Sequence, residues 1–409
     1  MYKNTLWTRN FKLLTAGTFI SSLGGIGLNI AFGLVIFDHT QSTFLSGIFS
    51  AVTMIPYIVL PLIVGPHVDS NDPLKVLLRN EKILIFIFIL AGLYVHYLDF
   101  SYLAYMLVVI CISAFGIVSK TASQSITPQL IDKENFSRGY AIISTIYPLS
   151  QVIVAPIALV IYSIFGLGVM FFIYAFLTLI DVIIESNIKH DFTFSDVKKE
   201  SVSDYICDLK DGLSYLKEDK GLSSVLLFFS IVVFTSAAGS LWYPFFARSS
   251  TLTLYHYGII TAVSSAGYMF GGLFHYFVKI KDTNRYTIAL FVYFTFVLFD
   301  GMFFFMPFMM MVIIRFVLGM FGMNSANIRT TAVQQRLNPL HRAKVNGFFS
   351  IVFSIATIMG QILIGFLGDL LPYTSVMLLC QFVYLLAILV FIIPKRTGIK
   401  ELYNYSTQE

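Results

Sequence analysis

The sequence predicts an all-α membrane protein with twelve membrane-crossing helices in two pseudo-symmetric six-helix bundles, and three observations carry that prediction. Of 409 residues, 57% are hydrophobic, 16% aromatic and only 12% charged, against about 25% charged in soluble domains. The apolar residues fall into runs of about 20, the length that crosses the hydrocarbon core as a helix. A single long hydrophilic stretch, Ser186 to Gly221, interrupts them and holds 14 of the 49 Asp, Glu, Lys and Arg residues.

Charges, Pro, Gly and Asn bound the spans. Before the hydrophilic stretch they cover residues 11–37, 44–68, 76–97, 102–123, 140–165 and 167–187; after it, 221–247, 255–278, 286–305, 308–329, 346–368 and 373–394. The domains are therefore a first bundle (1–187), a linker (188–220), a second bundle (221–394) and a tail (395–409). Lys3, Arg9 and Lys12 accompany the first apolar run, Phe11 to Phe37. That run is longer than a signal-peptide core of about 7–15 residues and reads as an uncleaved span.

Lysine and arginine in short loops stay on the cytoplasmic side. With both termini inside, 25 of the 27 fall in inner segments; Arg248 lies outside and Arg315 within a span. One missed or invented span would exchange inside for outside downstream and ruin this pattern. A multi-pass protein of the plasma membrane with cytoplasmic termini is expected. The net charge of +5 thus reports topology, and its spread over short loops speaks against a nucleic-acid surface.

Within the linker Val202, Tyr205, Leu209, Leu213 and Leu216 recur at steps of three or four, opposite Asp204, Asp208, Lys210, Asp211 and Lys217. This pattern predicts an amphipathic helix on the inner membrane surface or under a bundle, tethering the two halves. Cys111, Cys207 and Cys380 are too few and scattered for disulfides or a metal, and read as buried packing residues. No nucleotide-binding glycine loop, metal-ligand cluster or nucleophile with a spaced base is present, which argues against an ATP-driven pump, a cofactor and an enzyme.

The halves repeat each other weakly. Gln124 to Pro128 ends the fourth span as Gln335 to Pro339 follows the tenth. Arg138 and Gly139 then match Lys344 and Gly347, and Ser150 before Ala155 and Pro156 matches Ser354 before Gly360 and Gln361. Parallel repeats of this kind build one large transporter class. With these motifs, the opening Leu6 to Phe11, Ser21 to Gly24 and the ending Gly365 to Asp369, the chain resembles the major facilitator superfamily and its macrolide-efflux-like drug:proton antiporter branch. The resemblance implies a substrate site between the halves at mid-membrane, small-molecule and proton partners, and a monomer.

The loop from Gly65 through Asp69 to Lys75 resembles the family's inner gating motif, in which glycine permits close helix approach and the aspartate meets a helix N-terminus. The resemblance makes Gly65, Asp69 and Lys75 latch residues, although Ser70 stands where a basic residue is usual. Asp300 and Arg315 follow from geometry instead: seven and eight residues from Pro307 on consecutive spans, they reach equal depth in an antiparallel hairpin. A salt bridge between them is expected, because an unpaired charge at that depth is costly. It reads as static rather than proton-coupling.

Neutral polar and aromatic groups on the spans that the resemblance brings to the cavity are Asn29, Tyr147 and Gln151 in the first half, and Trp242, Tyr243, Tyr268, Asn324, Asn327 and Gln361 in the second. Such groups at mid-membrane face protein or water, as cavity lining or as interhelical glue. Trp242 and Tyr243 also suit an interfacial anchor, and His275 an inner, solvated helix end. The resemblance makes the sixth span peripheral, so Asp181 and Glu185 are expected to snorkel to the inner interface. The expected function is a secondary active transporter exporting amphiphilic or lipophilic small molecules by alternating access. A facilitator or importer of a small metabolite, and a transporter-like sensor, are the alternatives.

Overall fold

The computed structural model describes residues 6–193, 202–277, 280–338 and 341–404. Among them every regular element is helical. Helices α1 (Arg9–Thr40), α2 (Thr43–Val59), α3 (Pro61–Asp69), α4 (Pro73–Tyr97), α5 (Tyr102–Ile126) and α6 (Phe136–Glu185) precede the linker helix α7 (Val202–Glu218). They are followed by α8 (Lys220–Ser236), α9 (Trp242–Ala247), α10 (Leu254–Phe277), α11 (Arg285–Met302), α12 (Phe308–Arg336), α13 (Arg342–Leu370), α14 (Tyr373–Ala387) and α15 (Arg396–Tyr403).

Eight of the described helices are long and apolar enough to cross a membrane, or up to nine if α2 and α3, bent by 47°, form one span. This is fewer than the twelve expected from sequence. One cause is α6, a single 50-residue element where two spans were expected. It is broken at Gly166, whose φ of 72° and ψ of −178° belong to a region reserved for glycine. Helices α4 and α10 lie over the expected third and eighth spans but are not among the eight.

Two compact units emerge, one from residues 1–41 and 52–200, the other from 42–51 and 201–409. Their boundary falls inside α2, and the linker helix joins the second unit.

In the first unit α1 lies along α6, and α4 packs on both α6 and α5. Small residues of α1 make this close fit possible. Gly24 lies against the Tyr174 ring, and Ser22 Oγ meets Ser150 Oγ at 2.6 Å. Between helices in lipid, such van der Waals fits and hydrogen bonds supply the attraction that hydrophobic burial supplies in water. The chain after α6 is tied down as well: the Asn10 amide donates to the Lys189 carbonyl at 2.7 Å, and Gln129 accepts from Thr193 N at 2.9 Å.

The second unit centres on Phe228, Phe229, Tyr293 and Tyr384, packed in edge and tilted pairs. Helix α7 lies against α13. Gly212 rests on the Lys344 backbone, Lys344 Nζ reaches Asp211 Oδ2 at 2.7 Å, Tyr215 stacks on His341, and Leu216 is buried. Leu213, expected on the apolar face, is exposed, and the side chains of Val202 and Tyr205 lie outside the described residues, as does that of His275.

Part of the expected tail, Arg396–Tyr403, folds as α15. Ile399, Leu402 and Tyr403 are buried, the Tyr403 and Tyr293 hydroxyls meet at 2.9 Å, and Asn404 accepts from Tyr286 N. The cysteine expectation is corrected at two of three positions: Cys380 is buried, whereas Cys111 and Cys207 are exposed.

Candidate functional site

The polar centre of the second unit is built on the hairpin of α11 and α12. The chain turns through Phe303–Phe305 and enters α12 after Pro307, which sets Asp300 and Arg315 side by side. Arg315 Nη2 lies 2.5 Å from Asp300 Oδ1, with the side chains 5% and 18% exposed. The guanidinium is also sandwiched, 3.7 Å from the Trp242 ring centroid and 4.1 Å from that of Phe303. Aromatic faces carry negative potential and favour a desolvated cation. Arg315 Nε is turned over these rings and makes no hydrogen bond among the described residues.

Two cavities open on this pair. One, of about 200 Å³, is bordered by Trp242, Tyr268, Asp300 and Arg315. The other, of about 240 Å³, is walled by Phe229, Tyr268, Tyr293, Phe296 and Tyr384 and shares Asp300. Tyr268, 44% exposed although inside the unit, borders both. Arg329 faces the second cavity, its guanidinium 3.9 Å from the Phe229 ring centroid. Helix α12 continues two turns past Arg329, to Arg336, and carries it into the unit rather than into an inner loop. Gln381, buried with Oε1 lacking a hydrogen-bond partner among the described residues, is a second lining residue that sequence reasoning missed.

The other candidates scatter. Trp242 and Tyr268 reach the cavities, while Tyr243 packs on Tyr257. Asn324 is buried and donates to the Met320 carbonyl at 2.8 Å; neither it, Asn327 nor Gln361 borders these cavities. The Gln361 carbonyl instead supports the close approach of Gly47. In the first unit Asn29 and Tyr147 are exposed and Gln151 half-buried.

The expected latch residues lie at the end of α3 and the start of α4. Gly65 has open space where a side chain would be, Asp69 is exposed, and Lys75 pairs with Asp72 at 3.4 Å rather than with Asp69. A comparable device occurs at Asp369, which the sequence offered only as the end of a motif. Its Oδ1 accepts from Thr43 N at 2.6 Å and Thr43 Oγ1 at 2.8 Å, and its Oδ2 from Ser42 Oγ at 2.5 Å and Phe44 N at 3.3 Å. A carboxylate thus meets the N-terminus of α2, where unpaired N–H groups and the dipole favour negative charge.

Asp181 and Glu185 do not snorkel. Each is only 3% exposed and is turned toward α1, against Gly17. Periodicity alone hid this, because the bare backbone of Gly17 makes the room.

Comparison with known proteins follows the same lines. The family described as transmembrane secretion effector matches residues 4–406. Macrolide efflux protein A of Streptococcus pyogenes is 20% identical over 375 residues, 90% of this chain and 92% of that protein. Among solved structures, the nucleoside transporter NupG superposes with a TM-score of 0.74 at 15% identity, covering 98% of this chain and 100% of that one. A bacterial homologue of the iron transporter ferroportin in the inward-facing state gives 0.70 at 13% identity, covering 97% and 99%. At these identities the structures speak for the fold.

Proposed function

The chain belongs to the transmembrane secretion effector family of the major facilitator superfamily, and on that footing we propose that it is a secondary active exporter of amphiphilic or lipophilic small molecules, driven by proton antiport. As a member of a transporter family it is a multi-pass membrane protein with a small-molecule substrate. The observation that carries the finer reading is the aromatic cavity of the second unit, in which the Asp300 charge is already met by Arg315. Such walls hold bulky apolar compounds by dispersion and ring stacking. Sugars would require a denser array of hydrogen-bonding groups.

The proposed topology has twelve spans in two sets of six in the plasma membrane, with both termini cytoplasmic. The two arms of α6, with α4 and α10, would supply the spans beyond those recognised by length and hydropathy. Transport proceeds by alternating access in a monomer, with Gly65, Asp69 and Lys75 as the inner latch of a different step in the cycle. Export is also the activity named for the Streptococcus pyogenes relative.

The test is accumulation of a panel of lipophilic compounds in cells with and without the gene, repeated with an uncoupler. At least one compound is expected to accumulate several-fold less when the gene is present, and the difference to vanish once the proton gradient collapses. Equal accumulation across the panel would remove export. A difference that survives the uncoupler would replace antiport with facilitated transport.

A further inference from the structure

We propose that Asp181, Glu185 and Glu81 form a proton-binding site inside the first unit, closed by α1 at Gly17. The inference deepens the reading of the chain as a proton antiporter and rests on it for its role in transport. The site itself stands on separate observations.

The three carboxylates come from two helices. Glu81 is on α4, and Asp181 and Glu185 lie one turn apart on α6; they are 4%, 3% and 3% exposed. Glu81 accepts a hydrogen bond from Ser119, whose hydroxyl also accepts from Asn80 Nδ2 at 2.7 Å. Asp181 Oδ1 and Glu185 Oε2, by contrast, are buried with no hydrogen-bond partner among the described residues. A buried carboxylate that ionises needs a cation or several donors, since an unpaired charge is costly to hold there. These two oxygens have neither.

Among the described residues no counter-charge approaches from the neighbouring helices. On α1 the facing groups are Gly17 and the neutral Ser21 hydroxyl, which can donate to the Asp181 carboxylate but brings no charge. On α4 the exposed Arg79 and Lys82 flank the buried Asn80 and Glu81. On α5 the facing group is Ser119, while the exposed Lys120 reaches over the Tyr57 ring instead. On α6 itself the remaining titratable neighbour is Tyr174. Ionising all three at once, buried and without a counter-charge, would be strongly disfavoured, so the site holds protons while it stays closed.

A proton is also the ligand that fits the space. Among the described residues no group of three acidic, His or Cys side chains is arranged to hold a metal ion. A Cβ at Gly17 would fall on the Asp181 and Glu185 carboxyls, so there is no volume for an organic cation. Losing the last of these protons would set two negative charges one turn apart against bare backbone. Deprotonation therefore requires α1 and α6 to part or to admit water, which ties the state of the site to helix packing.

The experiment is labelling of the purified full-length protein with the hydrophobic reagent dicyclohexylcarbodiimide, which adds to protonated carboxyls in apolar surroundings. Labelling is read by peptide mass spectrometry between about pH 6 and pH 9, a window that leaves exposed carboxylates ionised. The expected result is adducts at Asp181, Glu185 or Glu81, falling about tenfold across that range, while exposed Asp69 and Asp211 stay unlabelled. Infrared difference spectra should lose a protonated-carboxyl band over the same window, and Asp181→Asn with Glu185→Gln should remove it. Absence of both adducts and band, or protection by sodium at constant pH, would overturn the proposal. If labelling holds while export ignores uncouplers, the coupling reading fails and the site stands; if labelling fails while export stays uncoupler-sensitive, the reverse holds.

Discussion

Arg315 illustrates how much one buried side chain requires of its surroundings. Its charge is met on one side by Asp300 at 2.5 Å and on its faces by Trp242 and Phe303, so removing either acid or base leaves the partner without compensation. Breaking a pair of this kind costs about 3–5 kcal/mol. Asp300→Lys and Arg315→Asp should each lower the yield of folded protein and its melting temperature in detergent, and the double exchange should recover most of the loss. A double variant no better than the singles would show that the pairing is not what the two residues contribute. The pair was legible in the sequence because antiparallel helices share one rise per residue, so equal distances from Pro307 mean equal depth. The rings that enclose it were not, since Trp242 comes from another helix and nothing in local spacing aims it. The burial of Asp181 and Glu185 was hidden for a related reason: it depends on a missing side chain at Gly17, far away in sequence.

At the level of helices, the ends matter more than the middles. Hydropathy gave the middles, because an apolar run in lipid leaves a helix almost no alternative. It missed α15, whose eight residues bury Ile399, Leu402 and Tyr403, since such a short run resembles any soluble tail. It also gave Asp369 no role. Four hydrogen bonds to that carboxylate fix the first turn of α2, and nearby the Gly365 backbone touches Thr43 so closely that a Cβ would overlap it. Replacing a charged acceptor at a helix N-terminus removes about 0.5–2 kcal/mol. Asp369→Ala should therefore raise hydrogen exchange in residues 43–46 well before it affects the rest of the second unit, with Asp369→Asn intermediate because its amide oxygen still accepts. Unchanged exchange at α2 in both variants would mean that packing at Gly365 alone holds the turn.

For the whole chain, topology is the premise behind both the proposed function and the assignment of the latch, and the native cysteines test it without any substitution. Cys207 is exposed on the linker helix α7, Cys111 is exposed within the long apolar helix α5, and Cys380 is buried in α14. If twelve spans place the linker in the cytoplasm, a charged membrane-impermeant maleimide has no reachable thiol in intact cells. Cys111 is then covered by lipid, which excludes charged reagents. In inverted vesicles Cys207 alone becomes accessible. The expected outcome is no labelling of intact cells, and one adduct per chain, at Cys207, in inverted vesicles. Labelling of Cys207 from outside would exchange the two faces throughout, put the lysine-rich loops on the wrong side and end the argument for an inner latch at Asp69. Labelling of Cys111 from either side would instead place α5 against water, where an apolar helix of 25 residues has no reason to be.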